Sequence, residues 1–286
     1  MTDAKDILHV VGFSGGIDSQ AVCRWVLNRY PKESVLITNS DAGGNEHPLT
    51  TEHIKWYSEN VHPIVLCNAI VADMGGGAID KRNELGLKDD DPLTFDLLAT
   101  LKGRFPSFGA QFCTEFLKLR PTRRYLEQFR EKFEIILYSG KRRDESAKRA
   151  NMAIERCDDF YDCIQRNPVA DWTKKMCFDY VKAHGEKINP LYALGFSRVG
   201  CAPCINSSKD DILAWAKRFP EMIDKIREWE RRVGRTFFFS RENSNGDLQW
   251  VDDVVAWSKT AHGGKNLDLL RAMEPPACES KYGLCD

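Results

Sequence analysis

Residues 7–20 read Ile7-Leu8-His9-Val10-Val11-Gly12-Phe13-Ser14-Gly15-Gly16-Ile17-Asp18-Ser19-Gln20. The apolar run from Ile7 to Val11 predicts a buried strand. From Ser19 to Asn28 the spacing of Ala21, Val22, Trp25 and Val26 predicts one apolar helix face. A turn of small residues joins the two. Glycine admits positive φ and removes the side chain, so successive backbone N–H groups can converge on an anion. The start of the following helix adds a favourable dipole. Asp18 stands where a carboxylate can hold a magnesium ion against phosphates. The Walker pattern is excluded, because no lysine follows the second glycine. The plain alternative is a glycine turn that only links strand to helix.

Outward from this turn, Val35–Thr38 predicts a second strand, and the polar stretch Asn39–Asn45 a turn. Thr50–Asn60 predicts a helix and Pro63–Leu66 a third strand. Further on, Leu119–Phe129 and Trp172–His184 read as helices and Glu134–Tyr138 as a strand ending at Ser139-Gly140. Strands alternating with helices imply βαβ units and a parallel sheet. The stretch Met74–Ala110, with Gly75-Gly76-Gly77 and Asp89-Asp90-Asp91, reads equally as a surface insertion or a mobile lid. After Gly200 the character turns helical. Ser207 is placed to cap one helix with Asp210, Pro220 starts a second that Gly234 stops, and Val251–Lys259 reads as a third. The expected architecture is α/β: a Rossmann-like parallel sheet flanked by helices over residues 1–200, then a mostly helical, cysteine-containing region over 201–286.

Length and composition frame this reading. With 286 residues, the chain can bury a sizeable core. Its 41 Lys+Arg against 42 Asp+Glu give a net charge of −1, so a nucleic-acid partner would need a local patch. No apolar run suits a signal peptide or membrane span, which places the expected protein in the cytoplasm, away from membranes. Ten cysteines in such a compartment are poor disulfide candidates. Cys201-Ala202-Pro203-Cys204 is a C-x-x-C, and Cys278 and Cys285 near the end supply two more thiolates. Four thiolates satisfy a 4Fe–4S cluster or a structural zinc ion. Cys23, Cys67, Cys157, Cys163 and Cys177 fall within helical or strand patterns and read as small buried hydrophobes. Arg142, Arg143 and Arg149 follow a strand end, where α/β sheets bind ligands, and guanidinium groups grip phosphate or sulfate bidentately. The alternative for them is a solvated basic helix start. His47, a lone histidine, reads as structural.

Five stretches carry a resemblance to a known family. Ser14-Gly15-Gly16-Ile17-Asp18-Ser19 resembles the PP-loop of the ATP pyrophosphatase superfamily, Ser-Gly-Gly-x-Asp-Ser. Asp41-Ala42-Gly43-Gly44-Asn45-Glu46-His47-Pro48 is similar to the Asp-Thr-Gly-x-Glu-x-Pro segment of the phosphoadenosine phosphosulfate (PAPS) reductase branch, with Ala42 for threonine and one extra residue. Cys113-Thr114, Lys118 and Pro121 match its Cys-Thr-x-x-x-Lys-x-x-Pro run, and Gly140 to Arg149 its Gly-x-Arg-x-x-Glu-Ser-x-x-Arg element. Asn189-Pro190-Leu191-Tyr192 through Cys201 and Cys204 match its later signature, so the resemblance runs in order from about residue 8 to 204.

The resemblance implies an enzyme with a HUP-type nucleotide fold. ATP with Mg2+ would lie on Ser14, Gly15, Gly16, Asp18 and Ser19, with Arg142, Glu145, Ser146 and Arg149 as further nucleotide contacts. Asp18, Cys113, Lys118 and Arg142 would be catalytic. Cys113 aligns with a cluster-ligand cysteine of iron–sulfur members, which carry a Cys-Cys pair where Thr114 stands here; it either completes the cluster or carries sulfur as a nucleophile. The implied partners are an adenine nucleotide, a nucleic-acid acceptor, a cysteine desulfurase as sulfur donor and a second copy in a homodimer. Three activities follow: ATP-dependent activation and sulfur transfer, as in DNA phosphorothioation and tRNA thiolation; assimilatory reduction of PAPS or adenosine phosphosulfate (APS); or nucleotide binding by a non-catalytic iron–sulfur module. The intact loop favours the first, since sulfonucleotides lack a β,γ-pyrophosphate. Tyr282-Gly283-Leu284-Cys285 departs from the Glu-Cys-Gly-Leu-His tail of thioredoxin-dependent reductases, which weakens the second.

Overall fold

A computed structural model describes residues 5–238 and 249–260. The chain enters the sheet through β1 (Asp6–Gly12), turns into α1 (Ile17–Leu27), and returns through β2 (Val35–Asn39), α2 (Pro48–Asn60) and β3 (Ile64–Leu66). Helices α3 (Ile79–Glu84) and α4 (Phe95–Lys102) come next. The short α5 (Phe112–Thr114) then passes through a π-helical turn, Glu115–Leu119, into α6 (Arg120–Leu126). The strands β4 (Phe133–Tyr138), β5 (Glu155–Asp158) and β6 (Cys163–Arg166) complete the sheet. They are followed by α7 (Lys174–Ala183), α8 (Pro190–Ala193), α9 (Lys209–Arg218), α10 (Pro220–Val233) and α11 (Val251–Ser258).

The strand order is β3-β2-β1-β4-β6-β5, parallel throughout except for the antiparallel β5–β6 pair. β1 lies in the middle, with Val10 opposite Leu36 on one side and Leu137 on the other. Its side chains alternate between two cores, as period-two geometry requires. Leu8 and Val10 pack with Leu119, Leu126 and Ile135, while Val11 joins α1 and α7 through Ala21, Val22 and Val181. Both faces are covered, which is why β1 reads as a continuous apolar run rather than an alternating one.

A third core is helical. Leu93, Phe95, Leu98 and Phe105 pack with Trp229, Phe237 and Val251. This corrects the reading of Met74–Ala110 as insertion or lid: Leu93, Phe95, Leu98, Leu101 and Phe105 are core, while the glycine-rich and acidic stretch before them and the turn after them lie at the surface, with Ile79, Leu85 and Phe108 exposed. Buried Glu230 braces α10 by accepting from Phe237 N (2.8 Å) and Val251 N (3.0 Å). The cap of α9 is Ser208, not Ser207: Ser208 Oγ accepts from Asp211 N (3.1 Å), and Ser208 N donates to Asp211 Oδ2 (3.2 Å). Ser207 instead folds back on the C-x-x-C loop, accepting from Cys204 N (3.3 Å). Gly234 ends α10 at φ +69°, as expected. Cys23, Cys67 and Cys177 are buried, but Cys157 is exposed on the edge strand β5, against expectation, and Cys163 is half-buried. No described helix is long and apolar enough to cross a membrane.

Candidate functional site

In this sheet the strand order reverses between β1 and β4, and such switch points open a crevice at the carboxyl ends of the strands. A crevice opens there, lined by Gly12, Ser14, Ser19, Thr38, Gly140 and Lys141 among others. The loop between β1 and α1 forms one wall. Ser14 N donates to Ser19 Oγ (3.2 Å), and Ser19 Oγ donates to Gly16 O (2.9 Å), so the two serines fix the turn from within. Gly15 adopts φ +78°, and a Cβ there would meet Thr50 Cγ2 at 2.8 Å. Asn189 Nδ2 ties the loop down from α8, donating to Gly15 O (3.2 Å) and Thr50 Oγ1 (3.1 Å). Ile17 N, at the first turn of α1, donates to Tyr192 OH (3.0 Å).

The loop after β4 closes the other side. A Cβ on Gly140 would come within 2.8–3.0 Å of the backbone of Asp18 and Ser19, so only glycine allows this approach. Arg142 follows, and its Nε lies 2.9 Å from Asp18 Oδ1, both side chains about 6% exposed. Arg142 also faces Asp144 at 2.5 Å and Glu145 at 3.8 Å, and Glu145 pairs with Arg149. Ser146 is buried beside them. The two arginines expected to grip phosphate are thus already neutralised by carboxylates, and the carboxylate expected to hold magnesium is paired with one of them. Arg143 is structural: its guanidinium donates to Met152 O (2.8 and 2.9 Å) and pairs with Asp171.

A second cavity adjoins the first, and Ser14 and Lys118 line both. Its other walls include Arg198, Cys201, Cys204 and Trp215. Cys113 comes close enough to feel both cysteines of the C-x-x-C: burial first, then Cys201 and Cys204, push its thiol up to about 12. Burial and Cys201 raise Cys204 likewise. Burial would lower Lys118, but Cys201, to which it hydrogen-bonds, Glu46 and Cys113 together hold its ammonium above its ordinary value. Lys118 sits in the π-helical turn, a feature that often marks functional positions. The 41–48 segment docks here as well, through Ala202 N to Asn45 O (3.0 Å). Burial pushes the Glu46 carboxyl up to about 7, with Lys118 opposing and Asp41 adding to the shift.

Three of the expected metal ligands therefore draw together, yet no metal-holding group of three or more His, Cys, Asp or Glu occurs among the described residues. Cys278 and Cys285 lie outside the described residues. His47 is structural, as expected. Its Nδ1 accepts from Leu49 N (3.1 Å) to cap α2, and its ring packs on Trp215 and Phe219.

Sequence reasoning missed three positions. Asn189 and Tyr192 lie inside a quoted signature but carried no assigned role, and Lys174 carried no signal at all. Lys174 begins α7, donates to Ser197 O and lies 5.2 Å from the Tyr192 ring centroid. Burial lowers its pKa; Asp18, Arg142, Arg198 and Asp211 act on it at longer range.

A parallel sheet with a glycine loop over a helix N-terminus at its switch point defines an α/β protein of nucleotide-binding type. The sequence profile of the phosphoadenosine phosphosulfate reductase domain matches residues 9–207, and the chain belongs to that family of enzymes. An uncharacterized 37.8 kDa protein of Escherichia phage 186 is 30% identical, over 99% of this chain and 98% of its own. Adenosine 5'-phosphosulfate reductases are similar over shorter stretches. That of Burkholderia cepacia is 39% identical over 23% of this chain and 26% of its own, and that of Rhizobium tropici 34% over 38% and 58%. Among solved structures, a PAPS reductase from Candida auris in a phosphate complex superposes with a TM-score of 0.46 at 12% identity, over 68% of this chain and 82% of its own.

Proposed function

We propose that this protein cleaves ATP between its α and β phosphates to activate an acceptor for sulfur transfer. The observation that carries this reading is the Ser14–Ser19 loop. It is intact, pinned by Asn189 and Tyr192, and set at the switch point with the start of α1 facing the cavity. An acceptor oxygen attacks the α-phosphorus, a new O–P bond forms, and pyrophosphate leaves with the electron pair of the broken P–O bond. A sulfur nucleophile then attacks the activated centre and expels AMP. The neighbouring cavity suits the sulfur side: it shares Ser14 and Lys118 with the nucleotide cavity and holds Cys201 and Cys204, with Cys113 close by. A nucleic-acid base or backbone is an acceptor of the right chemistry, and a cysteine desulfurase is a donor of the right kind.

Cysteine thiols are soft donors of the kind a 4Fe–4S cluster or zinc ion takes. Cys201, Cys204 and Cys113 would hold such a group, with Cys278 or Cys285 as a further ligand. When bound, a cluster supplies electron-transfer and sulfur-handling chemistry. Lys118 places a positive charge between these thiols and the nucleotide.

The test is anaerobic purification, then incubation with ATP and Mg2+ and measurement of pyrophosphate release, with iron and zinc content from the same sample. Release that disappears in Asp18→Ala, in a folded variant, supports the reading. A second reading, reduction of a sulfonucleotide to sulfite, is favoured by the similarity to named APS reductases; sulfite formation without pyrophosphate release would select it. Nucleotide binding with neither product would select a non-catalytic module.

A further inference from the structure

Around the loop, three of the cations are matched by negative groups. Arg142 faces three carboxylates, Arg149 faces Glu145, and Lys118 is held by Cys201 and Glu46. Lys174 is different. Half-buried at the start of α7, its ammonium meets a backbone carbonyl, Ser197 O, and the face of Tyr192. Among the described residues no carboxylate lies within salt-bridge distance of it; Asp18 and Asp211 act only from farther away, against Arg142 and Arg198. Removing an ammonium from water without a counter-ion is costly. A site that tolerates this beside a phosphate-type loop is one in which the anion arrives with the ligand.

We propose that Lys174 binds the terminal phosphates of the nucleotide, reaching the pyrophosphate portion from α7 across the loop at Ser14–Ser19. The inference rests on the ATP reading above and adds a residue that none of the five family-like stretches contains. Two contacts place Lys174 beside that loop. Tyr192, under its ammonium, accepts from Ile17 N at the first turn of α1. Ser197, which accepts from it, precedes Arg198, which lines the cavity that Ser14 also lines. Lys174 also differs chemically from the arginines: it is a compact point charge on a flexible stem, suited to following a leaving group.

The experiment is calorimetric titration of the full chain with AMP and with the Mg2+ complex of α,β-methylene ATP, which cannot be cleaved. Loss of one charge-assisted contact in Lys174→Met should weaken the ATP analogue by about tenfold or more. AMP, which lacks the β and γ phosphates, should bind unchanged and so reports that the variant is folded. Lys174→Arg should recover most of the loss. Equal weakening of both ligands would assign Lys174 a merely structural role and overturn the proposal, as would no weakening of either. If the wild type ignores the ATP analogue but binds inorganic pyrophosphate through Lys174, the ATP reading fails and the pyrophosphate site stands. If it binds neither, both fail.

Discussion

Gly140→Ala tests whether the contact between the β4 loop and α1 sets the nucleotide site. The added Cβ would lie 2.8 Å from Asp18 C, 2.9 Å from Ser19 N and 3.0 Å from Asp18 O. All three are backbone atoms, so no side-chain rotation relieves the clash. Restoring ordinary carbon contacts of about 3.5 Å requires the two segments to part by about 0.5–0.7 Å. Overpacking of this kind costs about 1–3 kcal/mol. The displaced atoms belong to the loop that would cradle phosphate, and a shift approaching 1 Å at a reacting centre can cost up to about a hundredfold in rate. Urea unfolding should therefore show a lowered midpoint with an unchanged slope, and pyrophosphate release should fall by about ten- to a hundredfold. Gly76→Ala is the control, since a Cβ there meets nothing within 4 Å. If Gly140→Ala behaves like Gly76→Ala in both assays, the close approach is not what fixes the loop.

Arg142→Met should destabilise the fold by about 3–5 kcal/mol, because it strips buried Asp18 of the cation 2.9 Å away. Asp18→Asn should cost less, since Arg142 keeps Asp144 and Glu145; equal unfolding free energies for the two variants would refute this asymmetry. Burial holds His53 at about 4, below its ordinary 6.5, so the unfolded chain binds a proton that the folded one refuses. That contribution is complete above pH 6.5 and drains away toward pH 4, by about 3 kcal/mol in all. Glu46, raised to about 7, slopes the opposite way in the same window, so the measure is the wild-type minus His53→Gln difference in stability. Parallel pH profiles would remove His53 from the account.

The central sheet was legible because β1, β2, α1 and α2 are strongly patterned, and their fold is decided by burial on known faces. Ser14–Ser19 and Gly140–Arg149 stood out as candidate site segments because phosphate chemistry restricts residue types tightly, and the structure brings Ser14, Ser19, Gly140 and Lys141 to one crevice. What escaped lacked such restriction. The β5–β6 pair is short, charged and partly exposed, so neither hydrophobic period marks it. Leu93 to Phe105 reads as loop because its apolar residues find partners more than a hundred positions away, on α10 and beyond. The Ser207 cap failed by one residue because two serines in succession satisfy the same pattern, and the C-x-x-C loop claims the first. Lys174 looks like any lysine in the first turn of a surface helix; only its place beside Tyr192 and Ser197 distinguishes it.

Asp18 was expected to place magnesium, yet it lies against Arg142, and the two roles are compatible on energetic grounds. Breaking a buried ion pair is severe when it strands a charge. Here the arginine would not be stranded: Asp144 at 2.5 Å and Glu145 at 3.8 Å stay in place if Asp18 turns to a metal ion carried in by a nucleotide. On the proposed reading, the surplus of carboxylates around Arg142 makes Asp18 exchangeable, while the ammonium of Lys174, with no carboxylate at salt-bridge distance among the described residues, would meet the negative charge of the nucleotide. A polyphosphate bearing its own cation satisfies both at once, whereas a nucleotide monophosphate satisfies neither fully. On the proposed reading, that complementarity is what would distinguish a polyphosphate from a monophosphate ligand, more than the six-residue motif alone.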